Sequence, residues 1–329
     1  MDGRTRHYGA FYGLAEAPIP ADGRRIVVLY GNCQAEAVRV LLAGSAAAEL
    51  LTVRIPPVFE LTRADLPHLE ALLARVDVLL AQPIRDDYRD LPLGTAQVAD
   101  RLRPGAQVLR WPVVFDIGLL PFQAVIRDPD DPTREPPVVP YHDLRTLAGM
   151  AAGRDRWDTE VEPAAFRAVA ATSRAELARR ESAGCDLGVS DLLERPAAGD
   201  FNTINHPGNR LLIELARRVQ GALGLPAAAA DPGRVLLGEV ITPGDPRVRA
   251  ALGVAAPAAA ADDSAGSPAA DGPAATAVDG PVGDWRVQGR SVSPQTVRQQ
   301  QEQFYRDHPA VVAAGLEREH DRLVTLGLM

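Results

Sequence analysis

Cys33 lies where an α/β protein would place a nucleophile. It follows a continuous apolar and β-branched run over residues 26–30, which is typical of a buried strand in a parallel sheet. After Gly31 and Asn32 the apolar residues recur at helical spacing, so residues 24–42 predict a strand, a sharp turn and a helix. The N-terminus of a helix favours a thiolate through its dipole and its unpaired N–H groups. The position therefore indicates a reactive thiol, and the alternative is a small apolar filler of the core.

A cysteine nucleophile needs a base that takes its proton and a third group that orients the base. Two histidines are candidates for the base. His206 follows Asn205 in a polar run between apolar flanks, and His142 is adjacent to Asp143 in the chain. Sequence reasoning favours His206, keeps His142 open, and retains a structural role for both as the alternative.

The same junctions carry amides that could stabilise a developing oxyanion. Asn32, Gln34 and Gln82 follow two predicted strands, and Asn205 lies beside a candidate base. Together with the N–H groups of the turn, they are candidate donors to an oxyanion or to a substrate. Asn32 and Gln34 are equally suited to capping the predicted helix.

Arginines near the predicted strand ends are candidates for binding the phosphates of a nucleotide-like cofactor through bidentate contacts. They are Arg85, Arg89, Arg145 and Arg210, whereas each arginine alone is also a common solvated surface charge. Neither a GxGxxG nor a GxxxxGK[ST] motif occurs at a strand–helix junction, which removes the main support for dinucleotide and phosphate-loop sites. No HExxH motif occurs and the histidines are dispersed, so we expect no metal site.

The elements that position these residues alternate between strand and helix. Further strands are predicted at residues 51–53, 76–81 and 107–111, and further helices at residues 64–73, 93–102, 166–183 and 209–223. Pro207 is expected in the first turn of the last of these helices, with Asn205 or His206 near its cap. This alternation predicts an α/β fold with a parallel sheet and right-handed crossovers.

The predicted organisation has four parts. They are an N-terminal arm (1–23), an α/β catalytic domain (24–250) with a helical insertion at about 144–195, a disordered linker rich in Ala, Pro, Gly and Asp (251–283), and a C-terminal helical segment (284–329). The last segment carries an apolar stripe that we expect to pack on the body of the protein: Val297, Phe304, Val311, Leu316 and Leu323.

Composition excludes several classes of function. The formal net charge of −8 argues against a general nucleic-acid binder. All 35 basic residues are arginine, which rules out a Schiff-base or phosphate-loop lysine. Cys33 and Cys185 are the only cysteines and neither belongs to a CxxC motif, which argues against a disulfide scaffold or a thiolate zinc site. No run has the length of a signal peptide core or a membrane span, so we expect a soluble cytoplasmic protein.

Four short blocks resemble the WcbI-type polysaccharide biosynthesis family over roughly residues 25–225. They are Gly31-Asn32-Cys33-Gln34, Gln82-Pro83-Ile84 with Tyr88-Arg89, Tyr141-His142-Asp143, and Asn205-His206-Pro207. That family is associated with bacterial capsule production and is described as a coenzyme A-binding acetyltransferase. The first block also resembles the Gly-Asp-Ser block of SGNH/GDSL esterases and acyltransferases, with cysteine in place of serine.

The resemblance implies a three-layer, SGNH- or flavodoxin-like core and an O-acyltransferase that uses acyl-CoA, most simply acetyl-CoA. It implies that Cys33 handles the acyl group, that His206 or His142 acts as the base, and that a sugar-like hydroxyl is the acceptor. The residues expected at the CoA are Gly31, Arg85, Tyr88, Arg89 and Arg210. The alternatives are an esterase or deacetylase with the same site and a non-catalytic binding protein. A homo-oligomer is compatible with the sequence.

Overall fold

The computed structural model describes residues 3–14, 23–255 and 283–329 of the chain. These residues form two compact units. Unit 1 comprises the described residues up to 115 together with residues 174–194 and 205–238, and unit 2 comprises residues 116–173, 195–204 and the described residues from 239 onwards. Most of the segment expected to be a disordered linker, residues 256–282, lies outside the described residues.

The regular elements are numbered in chain order. The strands are β1 (Arg25–Tyr30), β2 (Leu50–Val53), β3 (Val78–Ala81), β4 (Gln107–Arg110), β5 (Gln123–Ala124), β6 (His142–Asp143), β7 (Phe201–Thr203), β8 (His206–Pro207), β9 (Val240–Ile241), β10 (Trp285–Val287) and β11 (Arg290–Val292). The helices are α1 (Gly3–His7), α2 (Cys33–Ser45), α3 (Leu66–Leu73), α4 (Thr95–Ala99), α5 (Leu144–Ala152), α6 (Pro163–Ser182), α7 (Asn209–Ala222), α8 (Pro246–Leu252), α9 (Pro294–Asp307), α10 (Pro309–Arg318) and α11 (His320–Thr325).

Unit 1 is organised around a four-stranded sheet with the order β2-β1-β3-β4. Every pairing in this sheet is parallel. The two central strands, β1 and β3, are buried along nearly their whole length, which explains their continuous apolar sequences. The structure confirms the predicted α/β fold with a parallel sheet.

Side chains of β1 alternate between the two faces of the sheet. Val28 and Tyr30 belong to a core that includes Leu69 of α3 and Val98 of α4. On β1, α2 packs as the crossover helix, and α7 packs in turn on α2. Helices therefore cover both faces of the sheet, as a three-layer core requires.

The N-terminal segment forms a short helix and a turn within unit 1. The Arg4 guanidinium makes two hydrogen bonds of 3.1 Å to the Asp65 carboxylate, and the Tyr12 hydroxyl donates to the same group at 2.7 Å. Phe11 is buried in the core that α3 helps to form. These tertiary contacts hold residues 3–14, the described part of the predicted N-terminal arm, against unit 1.

Unit 2 has its own apolar core, to which α5 and the C-terminal helices contribute. Phe122, Leu144, Phe166 and Tyr305 are central members of this core, and α5 packs against α9 and α10. The predicted apolar stripe is confirmed, because Val297, Phe304, Val311 and Leu323 are buried and Leu316 packs against the same core.

The segment from Asp284, predicted to be helical, instead begins with a β-hairpin. In the hairpin, β10 pairs antiparallel with β11, and β9 pairs on the other side of β10. Gln288 and Gly289 connect β10 and β11, with φ angles of 50° and 78°. Two consecutive positive φ angles are the signature of a type I′ turn, which matches the twist of a hairpin. The helices follow from Pro294.

Candidate active site

The candidate site of unit 1 lies where the strand order reverses. Because β1 is flanked by β2 and β3, the chain leaves its end next to the end of β3, and ligands bind at such switch points in open α/β sheets. The backbone N–H of Asn32 donates to the side-chain carbonyl of Gln82 at 2.8 Å, which ties the two strand ends together. A Cβ at Gly31 would lie only 2.3 Å from that same oxygen, so the close approach requires glycine.

The thiol lies in the first turn of α2. This helix begins at Cys33, and the Asn32 side chain accepts a hydrogen bond of 2.9 Å from the backbone N–H of Gln34 as its N-cap. Cys33 is half-buried. The strand, the turn and the helix thus occur as predicted around the cysteine.

His206 contacts the thiol directly. Its Nε2 lies 3.5 Å from the Sγ of Cys33. His206 belongs to the extended segment β8, and α7 starts three residues later after an N-cap at Gly208. The prediction that Pro207 lies in the first turn of this helix was wrong, because Pro207 and Gly208 both remain extended. This extension keeps His206 outside the helix.

The helices α2 and α7, which begin at Cys33 and three residues after His206, run side by side in the same direction. The Cys33–His206 contact joins their N-terminal ends, and at the other end the Gln220 side chain donates to the Ser45 hydroxyl at 3.0 Å. Packing of α2 on α7 therefore fixes the spacing of the two reactive groups.

Gln34 is a fully buried amide that positions the backbone around the site. Its Nε2 donates to the carbonyls of Val114 and Asn205 at 2.8 and 2.9 Å. Its Oε1 accepts from the Val114 N–H at 3.0 Å and from the Gln82 side chain at 3.2 Å. Both amide hydrogens of Gln34 are therefore engaged, and one of them holds the residue that precedes His206.

Asn32 is a half-buried amide at the turn before Cys33. Its Oδ1 is used in capping, whereas its Nδ2 donates to no residue within the described parts of the chain. Because Asn32 directly precedes Cys33, this amide is a suitable donor to an oxyanion formed at the sulfur.

The residues assigned to CoA binding fall at three places in unit 1. Gly31 is buried at the end of β1, and Arg210 is exposed in the first turn of α7. The other three lie in the loop after β3, where Arg85 and Arg89 are exposed and Tyr88 is half-buried.

That loop has an unusual backbone. Asp87, Arg89 and Asp90 all have positive φ angles, of 52°, 55° and 59°. Left-handed conformations of residues other than glycine carry strain and cluster at functional sites. The Arg89 guanidinium also donates to the backbone carbonyl of Phe59, in the loop after β2. Sequence reasoning did not single out Phe59. Its position soon after a predicted strand was a signal that it could lie near the site.

His142 belongs to unit 2, where both its ring nitrogens are bound. Its Nε2 lies 3.1 Å from the carbonyl of Ile126, and its Nδ1 lies 2.8 Å from the hydroxyl of Tyr305. A carbonyl only accepts, so Nε2 carries the hydrogen and Nδ1 accepts from Tyr305. Burial lowers the pKa of His142 to about 4. This histidine is neutral and has no lone pair left for a substrate proton.

Asp143 organises the start of α5. Its carboxylate accepts from the Arg145 backbone N–H at 2.8 Å and from the Arg145 guanidinium at 3.0 and 2.6 Å. The Arg145 guanidinium also lies 4.3 Å from the centre of the Phe122 ring. Both carboxylate oxygens are therefore used in holding an arginine within unit 2.

Residues 3–14, 23–255 and 283–329 contain no group of three His, Cys, Asp or Glu side chains arranged to hold a metal ion. Across the same ranges, no helix has the length and apolar character needed to cross a bilayer.

Comparison with known protein families shows the family to which the chain belongs. The model of the WcbI family, described as polysaccharide biosynthesis enzymes, matches residues 26–228. The chain belongs to the WcbI family. The matched range contains Cys33, Gln82 and His206, and the resemblance stated from four short blocks is confirmed. No curated protein gives a significant match.

A solved WcbI structure has the same fold. It matches with a TM-score of 0.71 and 20% sequence identity, and the match covers 93% of this chain and 99% of that one. That protein is described as a novel polysaccharide biosynthesis enzyme, in its native form without a disulfide bond between CoA and one of its cysteines.

Proposed function

We propose that this member of the WcbI family is an acyl-CoA-dependent O-acyltransferase that transfers an acetyl group to a carbohydrate hydroxyl. The observation that carries the proposal is the 3.5 Å contact between the Cys33 Sγ and the His206 Nε2 at the carboxyl ends of β1 and β3. A thiol beside an imidazole is the arrangement that activates a cysteine nucleophile. The description of the solved WcbI structure refers to a disulfide between CoA and a cysteine, which that native form lacks, and this reference supports a cysteine that lies near CoA.

In the covalent route, His206 takes the proton of the Cys33 thiol through Nε2. The thiolate attacks the thioester carbonyl of acetyl-CoA, a carbon–sulfur bond forms, and the carbonyl oxygen gains negative charge. The side-chain amide of Asn32 is our proposed donor to this oxyanion. When the intermediate collapses, CoA leaves as a thiol with the proton held by His206, and the acetyl group stays on Cys33.

The second half of the reaction reverses the roles. His206 takes the proton of the acceptor hydroxyl, whose oxygen attacks the acetyl carbon, and Cys33 leaves and recovers the proton. In a direct-transfer variant, His206 activates the acceptor while CoA is still bound, and Cys33 only lines the site. Both routes use the same imidazole, and they differ in whether an acetyl-cysteine forms.

The remaining assignments follow from position. Gly31, Arg85, Tyr88, Arg89 and Arg210 are our candidates for contacts with CoA, since arginines at strand ends suit its phosphates. Asp143 and His142 are assigned to the structure of unit 2. Gln34 and Gln82 are assigned to positioning, because they tie the Asn32 turn to the backbone beside His206.

The test measures acetyl transfer from acetyl-CoA to a panel of sugars and nucleotide sugars by mass spectrometry. We expect Cys33→Ala and His206→Ala to abolish or strongly reduce transfer, and Cys185→Ala, which removes the chain's other thiol, to leave it intact. An acetyl group trapped on Cys33 supports the covalent route, and transfer without that adduct supports the direct one.

Two further measurements separate the transferase from its rivals. Stabilisation by CoA in a thermal shift assay supports the transferase, whereas turnover of p-nitrophenyl acetate without CoA binding identifies an esterase. If Cys33→Ala and His206→Ala retain full biological activity, the chain is a binding protein and the proposal fails.

A further inference from the structure

Unit 2 contains an open cavity of about 270 Å³ that the acyl-transfer site does not use. The cavity lies along α5, beside the loop of residues 153–157 and the middle of α9. Gly153 ends the helix with a φ of 62°, and the Arg154 N–H bonds to the carbonyl of Gly149 at 3.1 Å. The chain therefore turns back along the cavity after α5.

Four arginine side chains line this cavity, together with two carboxylates, Asp155 and Glu302. Of the four, Arg298 is neutralised, because its guanidinium donates to Asp155 at 2.9 Å and to Glu302 at 2.8 Å. A second arginine, Arg145, is held by Asp143 through two hydrogen bonds. Both carboxylates that line the cavity therefore pair with Arg298, and Arg145 is paired with a carboxylate outside the cavity lining.

The other two arginines, Arg154 and Arg156, have no carboxylate partner within residues 3–14, 23–255 and 283–329. The Nε of Arg156 is also shielded from solvent and donates to no acceptor in this part of the chain. A buried donor left without an acceptor costs about 1–3 kcal/mol, and more when the group is charged. Such a group in a native fold calls for an explanation such as a bound ion.

The wall of the cavity is rigid. The indole N–H of Trp157 donates to the Thr146 hydroxyl at 3.0 Å, and the Trp157 backbone N–H donates to Asp155 at 2.8 Å. The Arg145 guanidinium stacks on the indole at 3.7 Å from the ring centre. The residues on either side of Arg156 are thus fixed, which preorganises the site and lowers the entropic cost of binding.

We infer that this cavity binds a phosphate-bearing ligand through the guanidinium groups of Arg154 and Arg156. A phosphate dianion matches two uncompensated guanidinium groups in charge, and the planar guanidinium suits bidentate contact with phosphate oxygens. The volume is slightly below the range of drug-sized pockets, which fits a single phosphorylated sugar or the phosphate end of a nucleotide. The ligand phosphate comes either from CoA or from a separate phosphorylated metabolite.

The experiment titrates inorganic pyrophosphate into the full-length protein at low ionic strength by calorimetry. Binding to the wild type is expected to weaken at least tenfold in the double variant Arg154→Gln/Arg156→Gln. The charge-matched control is Arg179→Gln/Arg318→Gln, which removes two exposed arginines that pair with Glu176 and Glu319. This control should bind pyrophosphate as the wild type does.

Competition identifies the source of the phosphate. If CoA displaces pyrophosphate and dephospho-CoA does not, the ligand is the 3′-phosphate of CoA. If both displace it, the ligand is the diphosphate of CoA, and if neither does, the ligand is a separate phosphorylated molecule.

Two results would overturn the inference. One is the absence of pyrophosphate binding to the wild type at millimolar concentration, and the other is equal binding by the double variant. An unfolding temperature measured for each variant shows whether a loss of binding reflects a loss of structure. Cys33→Ala should bind pyrophosphate normally, so failure of the acyl-transfer proposal would leave this site untouched.

Discussion

His206 in unit 1 and His142 in unit 2 both stand among polar residues in the sequence, and their surroundings in the fold are opposite. The Nε2 of His206 meets a thiol at 3.5 Å, whereas both ring nitrogens of His142 meet a Tyr305 hydroxyl and an Ile126 carbonyl. A buried glutamine holds the backbone next to each histidine. Gln34 binds the carbonyl of Asn205, and Gln301 binds the carbonyl that precedes His142.

The difference shows what separates a base from a structural histidine. The two regions use the same device to fix the backbone, so rigidity alone does not mark a site. The group that meets the ring decides the role: a thiol can give up its proton, while a carbonyl and a hydroxyl that already donates lock the neutral ring in one tautomer.

The largest effect is expected from the histidines themselves. His206→Gln should lower acetyl transfer by about 10²–10⁴-fold with little change in unfolding temperature, because general-base catalysis contributes on that order. His142→Phe should instead lower the free energy of unfolding and leave the activity of the folded fraction unchanged. Steady-state rates and thermal unfolding of both variants check this prediction. Equal losses of activity in the two folded variants would contradict the assignment of His206.

The two buried glutamines form a second matched pair. Gln34→Leu leaves the Val114 N–H and the carbonyls of Val114 and Asn205 without their partner, which should cost about 3 kcal/mol or more. Gln301→Leu leaves the Tyr141 carbonyl and the Asp143 N–H without their hydrogen-bond partner and should cost a similar amount of unfolding free energy. Denaturant unfolding measures both costs. Only Gln34→Leu should also reduce the activity of the folded protein. A loss of activity in both folded variants would contradict the assignment of Gln34 alone to the backbone beside the reactive pair.

The buried imidazole also predicts an acid-sensitive stability. The pKa of His142 is about 4 in the folded protein, against an ordinary value of 6.5, so the unfolded chain binds the proton more readily. The contribution of neutral His142 to the free energy of unfolding is fully present above pH 6.5. It is lost as the pH falls towards 4, by up to about 3 kcal/mol.

His142→Phe should therefore flatten the dependence of unfolding free energy on pH across this window, and His320→Asn, at an exposed site, serves as the control. Denaturant titrations at several pH values would show it. An unchanged slope in His142→Phe would mean that folding does not lower the pKa of His142.

A smaller effect concerns the close approach of the strand ends. Gly31→Ala would bring a Cβ to 2.3 Å from the Gln82 Oε1 and should cost about 1–3 kcal/mol through strain. Gly44→Ala in α2 has open space at its Cβ and should stabilise the helix by about 0.5–1 kcal/mol. Thermal unfolding compares the two. A neutral Gly31→Ala would show that Gln82 is not pinned beside the turn.

Much of this fold follows from local patterns in the sequence. The runs at β1 and β3 and the helical spacing after Cys33 are strong signals, since burial on both faces leaves only apolar side chains. The β10–β11 hairpin was missed because its strands are three residues long and its turn has Gln288 where asparagine or aspartate is usual.

The site was only partly predictable for a related reason. Cys33 and Asn32 follow the carboxyl end of β1, and Gln82 follows that of β3. Their proximity therefore follows from the parallel pairing of these two strands. The choice between His206 and His142 depends on contacts with residues far away in the chain, such as Tyr305. The roles of Gln34 and Gln301 as buried backbone anchors likewise depend on packing that no local pattern encodes.

The most direct test of the reactive centre is the rate at which iodoacetamide alkylates each cysteine, followed by peptide mass spectrometry with and without CoA. Burial raises the pKa of Cys185 to about 11, and its thiol lies near the Arg180 carbonyl, so it should react slowly throughout. Cys33 should react faster than Cys185, slow markedly in His206→Gln, and be protected by saturating CoA. Alkylation of Cys33 as slow as that of Cys185, unaffected by either His206→Gln or CoA, would contradict the account.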